Sequence, residues 1–422
     1  MSGLGAWIAS RRAEAAQAMR AAISATHLTH RREEFGQSVR PVRGSVLASV
    51  LPSRWDPEPD YFHHWPRDAA VVMRRLPGLI AGASPEAARD WRACFADVVR
   101  FSLATTDPGR PPLAANPLRP TTRPEALLHL RPDAELAALS GAALLGEPRC
   151  AADGGPDLEN WSRPQFDGAA MRAAACLAAI EADPSLAGDA LAALVARDLA
   201  FTLANAGAPC IGPWEEAPAR RDVFTMIAQW DALTLGAAWL RDEGAARAAE
   251  AAAARVAALV EQAWDEAAGC WRSHLGAGPD DLDAAVIVAL AEVDRGDGPF
   301  AATGARAGRA ADALAARFAA LYPVNRGAGA ALIGRWPGDA FFGGNPWLPT
   351  TLALAALRYR RGEIAAGDAT MARLRELMPA QGFPEQLHRE TGAPVSCRQL
   401  TWSAAAFLAA VEARDAAQAV RA

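Results

Sequence analysis

The chain contains no lysine; all 43 of its basic side chains are arginine. This excludes a lysine-based phosphate loop, a Schiff-base enzyme and a pyridoxal enzyme together, because each depends on an ε-amine. Strand-like runs of alternating Val, Ile and Thr are nearly absent, so the chain reads as all-α. The six cysteines are scattered, with no Cys-x-x-Cys pair and no metal-ligand spacing. They are expected to be small buried thiols, and neither a metal nor a cofactor is expected. His63 and His64 have no acidic or thiol partner spaced for zinc, and adjacent side chains point in different directions on most backbones. No apolar run is long enough to span a bilayer. Arg11 and Arg12 interrupt the N-terminal apolar pattern and no cleavage site follows, so a cytoplasmic location is expected. A net charge of −5 gives no electrostatic case for nucleic acid. No low-complexity linker divides the chain, and a single domain over residues 1–422 is expected although the length alone would suggest more.

What the chain does have is helical periodicity. Caps and apolar spacing predict about twelve helices: 4–23, 67–79, 85–103, a fourth from Asp167, 185–206, a sixth from Asp222, a seventh from Gly244, an eighth from near Asp281, then 306–321, 346–361, 363–377 and a last from Thr401. A Pro/Arg-rich stretch over 107–159 interrupts them, with one short helix near 134–145. Odd-numbered helices are amphipathic, as in 245–264, where Arg247, Glu250, Arg255 and Glu261 punctuate an Ala/Val/Leu stripe. Even-numbered helices are apolar nearly all round, which marks buried helices. Exposed and buried helices in alternation describe two concentric rings, an (α/α)6 barrel.

Tryptophans, acids and Gly/Pro turns gather just before the even-numbered helices. Trp214-Glu215-Glu216 precedes the sixth, and Glu385, in Gly-Phe-Pro-Glu-Gln, precedes the last, which carries Trp402. Two carboxylates on separate loops among indoles suit general acid and general base work on a glycosidic bond. Taken singly, each tryptophan could be core, Arg67 and Asp68 a helix-start ion pair, and Arg335 and Asp339 a turn closure. Together they would form one rim of sugar-facing indoles and bidentate donors.

On these residues the chain resembles the catalytic domain of the fungal-type glucoamylases, glycoside hydrolase family 15. Tyr61-Phe62 with Trp65-Pro-Arg67-Asp68 is similar to the family's YFxxWxRD. Trp161 with Arg163-Pro-Gln and Asp167-Gly168 is similar to WxRPQxDG, and Trp214-Glu215-Glu216 to WEE. Gly334-Arg335-Trp336-Pro337 through Gly344-Asn345-Pro346-Trp347 resembles GRYP…GNPW, and Glu385-Gln386 with Leu400-Thr401-Trp402-Ser403 resembles EQ…LTWS. The resemblance implies an (α/α)6 barrel that releases β-glucose from non-reducing ends of α-1,4-linked glucans with inversion. It implies Glu215 as general acid and Glu385 as general base. It further implies substrate contacts from Glu216, Arg67, Asp68, Arg163 and Arg335, and a pocket lined by Tyr61, Trp65, Trp161, Trp214 and Trp402. Gly212-Pro213 stands where Asp-Leu is frequent, His63-His64 around a Tyr-Thr position, and Phe341-Phe342 where two tyrosines are frequent. With neither a starch-binding module nor a signal segment read in the sequence, the expected substrate is a small soluble α-glucan or oligosaccharide. Two alternatives stay open: cleavage of α-1,6 glucosides or trehalose by the same machinery, and a catalytically silent sugar-binding or regulatory barrel. Oligomeric state is not legible.

Overall fold

A computed structural model describes residues 3–55, 57–279 and 281–420. The chain divides into two compact units, one of residues 1–20, 221–231 and 253–422, the other of residues 21–220 and 232–252. Helices dominate both, in the order α1 (Gly3–Ala22), α2 (Pro66–Ala81), α3 (Pro85–Thr105), α4 (Asp133–Ala138), α5 (Asp167–Ala182), α6 (Asp189–Ala204), α7 (Val223–Trp239), α8 (Glu243–Glu261), α9 (Ala285–Val293), α10 (Ala305–Leu321), α11 (Leu348–Arg360), α12 (Ile364–Leu377) and α13 (Thr401–Ala419). Strands among the described residues are two or three residues long and pair as four antiparallel ladders. These are β1 (His30–Arg32) with β2 (Gln37–Val39), β3 (His63–His64) with β4 (Cys150–Ala151), β5 (Trp264–Asp265) with β6 (Cys270–Trp271), and β7 (Gln386–Leu387) with β8 (Pro394–Val395).

The predicted helices are all found, most with ends displaced by only a few residues. Local signals explain this. At α2, Pro66 occupies the first turn, where its missing N–H is no loss. At α3, Ser84 accepts from the Ala87 N–H ahead of Pro85 and Glu86. The eighth predicted helix is shorter than its pattern: α9 starts at Ala285, because Leu282 bridges to Arg272 in extended form and the Asp283 carboxylate accepts from the Ala285 N–H. In the Pro/Arg-rich stretch the single short helix is replaced by α4 and two 3-10 turns, 124–129 and 141–146.

The predicted alternation is visible inside each unit. In the second, the buried helices α2 and α5 pack on one another, with α3 and α6 against them. In the first, α11 packs against both α9 and α13, and α10 and α12 form the amphipathic partners. Two buried helices therefore start side by side in the second unit. Gly168 makes this possible: a Cβ there would meet the Pro66 side chain at 2.9 Å. The closeness brings Arg67 of α2 against Asp167 of α5, Nη1 to Oδ2 3.4 Å. Among the described residues, no helix is long and apolar enough to cross a membrane.

Candidate active site

In the second unit the Trp-Glu-Glu stretch sits on a loop pinned at its base, where Cys210 and Arg220 exchange backbone hydrogen bonds of 2.9 and 2.8 Å. A further bond, Ile211 N–H to the Pro164 carbonyl at 2.9 Å, ties it to the Trp161–Gly168 segment. Within the loop, Gly212-Pro213-Trp214-Glu215 closes a turn through the Glu215 N–H and the Gly212 carbonyl, 3.0 Å apart. Pro213, at the second position, presets the entry torsion of that turn. Glu215 itself has φ +66°, a left-handed conformation rare for a residue with a side chain.

Four donors converge on the Glu215 carboxylate. Oε1 accepts from the Trp65 indole at 2.7 Å, the Arg67 guanidinium at 3.1 Å and the Gln165 amide at 3.2 Å. Oε2 accepts from the Trp161 indole at 2.6 Å. Arg67 also donates to Gln165 Oε1 at 2.9 Å. Burial works against the charge of Arg67, but the carboxylates of Asp167, Glu215 and Asp68 outweigh it and hold its pKa above the usual range. The same crowding acts oppositely on the acids. Burial, with the neighbouring Glu215 and Asp167 charges, pushes Asp68 up to about 7 against the pull of Arg67, and burial likewise raises Asp167.

Asp68 carries a pH prediction. Folded, it keeps its proton up to about pH 7; unfolded, it ionises near the usual carboxylate value of about 4. Its contribution to stability is thus complete below about pH 4, declines as the pH rises toward about 7, and is constant above that. Urea unfolding at pH 5 and pH 8 should show a stability difference of at least about 1 kcal/mol that Asp68→Asn abolishes. An unchanged difference in the variant would assign the slope to other groups.

Around this centre Tyr61 meets Trp65 edge to face, with ring centroids 5.6 Å apart, and Trp65 meets Trp161 at 6.3 Å. Trp214 is half-buried and Glu216 exposed. Arg163 is held among three acids. Its guanidinium lies 2.9 Å from Asp157 and 3.4 Å from both Glu135 and Glu147, on the wall of a cavity of about 840 Å³ that Trp161 also lines.

Of the two histidines, for which no acid is spaced as a zinc partner in sequence, His63 does meet acids in the fold. His63 Nε2 lies 3.3 Å from Glu159 Oε1, and His63, Asp157 and Glu159 offer ligand atoms within 4.8 Å of one another. Both acids arrive from the far side of the 107–159 stretch, beyond any local spacing rule. Their charge is already matched, by Arg149 on Asp157 and Glu159 at 3.0 and 3.1 Å, by Arg163 on Asp157, and by Arg32, 4.0 Å from Glu159. Burial and the Arg32 and Arg149 charges lower the pKa of His63 despite its bond to Glu159. Arg149 also covers a face of Trp161, its guanidinium 3.8 Å from the ring centre. The cluster therefore reads as a charge-matched support for the indoles that hold Glu215.

In the first unit, Glu385 is 4% exposed and held from several sides. The Trp347 indole donates to Oε1 at 3.1 Å, and the Ser396 hydroxyl to Oε2 at 2.5 Å. Its backbone N–H bonds the Cys397 carbonyl at 2.7 Å, and its carbonyl accepts from Leu348 at 2.8 Å, at the start of α11. Trp347 in turn meets Trp402 edge to face, centroids 5.1 Å apart. Arg335 is locked in a bidentate pair with Asp339, at 2.8 and 2.6 Å, with its guanidinium over the rings of Trp336 and Phe341. Gly344 permits the loop that follows: φ is +63°, and a Cβ would lie 1.8 Å from the Asp339 carbonyl oxygen.

The sequence profile of the glycosyl hydrolases family 15 matches residues 138–380. The chain belongs to this family. Its relatives include Glucoamylase-1 of Arthroderma benhamiae, 27% identical over 88% of this chain and 65% of the relative, and the glucoamylase of Neurospora crassa, 24% identical over 90% and 65%. The chain thus spans about two thirds of the length of these family 15 relatives. Among solved structures, the Hormoconis resinae glucoamylase superposes with a TM-score of 0.80 at 21% identity, covering 98% of this chain and 74% of that one. The Saccharomycopsis fibuligera glucoamylase superposes at 0.77 and 19% identity, covering 99% and 96%. These likenesses show the fold, the (α/α)-type helical arrangement of the glucoamylases.

Proposed function

We propose that the chain is an inverting, exo-acting hydrolase that releases β-glucose from the non-reducing ends of short α-1,4-linked glucans, working as one domain over residues 1–422. The observation that carries this reading is the positioning of Glu215 by two indoles, a guanidinium and an amide, three of them on Oε1, so that Oε2, bonded by the Trp161 indole, keeps a lone pair for the transferred proton. A side chain held in this way at a positive-φ turn is positioned for one task. Glu215 gives its proton to the glycosidic oxygen as the bond to the anomeric carbon breaks. Glu385 takes a proton from the water that attacks the opposite face, so the new hydroxyl arrives inverted. Glu215 is left ionised and Glu385 protonated, and exchange with solvent resets both. Such a pair works across about 6.5–9.5 Å, leaving room for the water.

Arg67, Asp68 and Arg335 hold the terminal glucose in this reading, Glu216 contacts the sugar beyond it, and Tyr61, Trp65, Trp161, Trp214 and Trp402 line the pocket. Arg163, committed to three carboxylates, acts by bracing the Trp161 segment. Family membership supports glycoside hydrolysis, and the donors gathered on Glu215 and Glu385 speak against a silent binding barrel, which has no need of them. Proton NMR of the protein with maltotriose tests the proposal: the β-glucose anomeric signal should rise first. Early α-glucose would overturn the inverting roles. Cleavage of isomaltose or trehalose in place of maltotriose would move the linkage and leave the mechanism standing.

A further inference from the structure

Trp55 lies outside every motif considered above. Its indole is 37% exposed, although burying so large an apolar ring is normally favourable. Its backbone has φ +69°, a left-handed conformation that strains a residue with a side chain. The loop is closed behind it by the Ser53 hydroxyl on the Glu58 carbonyl, at 2.5 Å. Arg54 is meanwhile drawn outward to Glu33, 3.2 Å away. The ring itself turns toward the site. It meets Tyr61 edge to face, centroids 6.3 Å apart at 87°, and tilts against Trp161 at 5.7 Å and 36°.

These contacts complete a circuit. Trp55 touches Tyr61, Tyr61 touches Trp65, Trp65 touches Trp161, and Trp161 touches Trp55. Trp65 and Trp161 aim their N–H groups at Glu215, and Trp65 is 3% exposed. Trp55 is the most exposed member of this circuit, Tyr61 and Trp161 being half-buried.

We infer that Trp55 is a specificity-determining residue, an indole platform for the leaving-group sugar at the mouth of the site. The inference rests on the glycosidase reading of Glu215. An exo-acting site buries the terminal sugar, so what projects toward solvent past Glu215 is the sugar on the other side of the cleaved bond. A pyranose offers a face of C–H groups that stacks on an exposed indole, and Trp55, packed against Trp161 at a 36° tilt, is more than a third exposed.

The test compares two substrates. α-Glucosyl fluoride has no leaving-group sugar; maltotriose, isomaltose and trehalose do, and whichever of them the wild type cleaves is used. Trp55→Ala should lower kcat/KM on that sugar substrate about tenfold, mainly through KM, leave α-glucosyl fluoride within about twofold, and be largely rescued by Trp55→Phe. Equal losses on both substrates would make Trp55 a structural support of the Glu215 centre and overturn the proposal. So would an unchanged rate on the sugar substrate. A wild type inactive on every substrate, fluoride included, would instead remove the glycosidase reading, and the proposal with it.

Discussion

Glu215→Gln is expected to lower kcat on maltotriose about 10²–10⁴-fold, the usual worth of a positioned general acid. The substitution is well matched to the site. The amide oxygen can take the place of Oε1 and keep the bonds from Trp65, Arg67 and Gln165. Only the Trp161 N–H then faces a donor in place of Oε2. The fold and the indoles should therefore stay in place while the transferable proton is lost. α-Glucosyl fluoride separates the two effects, because fluoride leaves without being protonated. On that substrate the variant should keep most of the wild-type rate. A maltotriose rate within about tenfold of wild type would rule out Glu215 as the acid.

Removing Glu385 should fail in a different way. Glu385→Ala is expected to lose about 10²–10⁴-fold on maltotriose and on α-glucosyl fluoride alike, since water must be activated in both cases. Azide, a small anionic nucleophile that needs no base, should restore part of the fluoride rate and give β-glucosyl azide. No rescue, or an α-azide, would remove Glu385 from the role of base. Truncation also leaves the Trp347 indole and the Ser396 hydroxyl without the carboxylate they bond, at a cost of about 1–3 kcal/mol each. Glu385→Gln, which keeps an acceptor there, distinguishes lost chemistry from lost stability.

What was legible in the sequence was what local chemistry encodes. The starts of α2 and α3 follow from Pro66, Ser84 and Pro85, and the buried helices from apolar residues on every face. Glu215 and Glu385 stood out because each lies in a Gly/Pro-rich loop ahead of an apolar helix, Glu215 directly after Trp214 and Glu385 before the helix that carries Trp402. The residues that support them were harder to see. Arg149 covers Trp161 from a stretch whose arginines and prolines look alike in sequence. Ser396 reaches Glu385 across the β7–β8 hairpin, whose strands are two residues each and too short to leave a periodic signal. His63 and Glu159 meet only through the tertiary fold, so a spacing rule could not pair them. The eighth helix starts later than its pattern suggested, because Leu282 is held in extended pairing with Arg272 and α9 begins only at Ala285.

The left-handed backbone at Glu215 sets two selective demands against each other. Asn or Gly would occupy that conformation with less strain than Glu. Stability alone would draw the position toward those residues, and either would erase the acid. The tightly pinned loop, the Pro213 turn and the four donors can be understood as what keeps an uncomfortable residue in its place. On the role proposed for Glu215, a lineage released from the need to cleave sugars would have a thermodynamic incentive to change this position early.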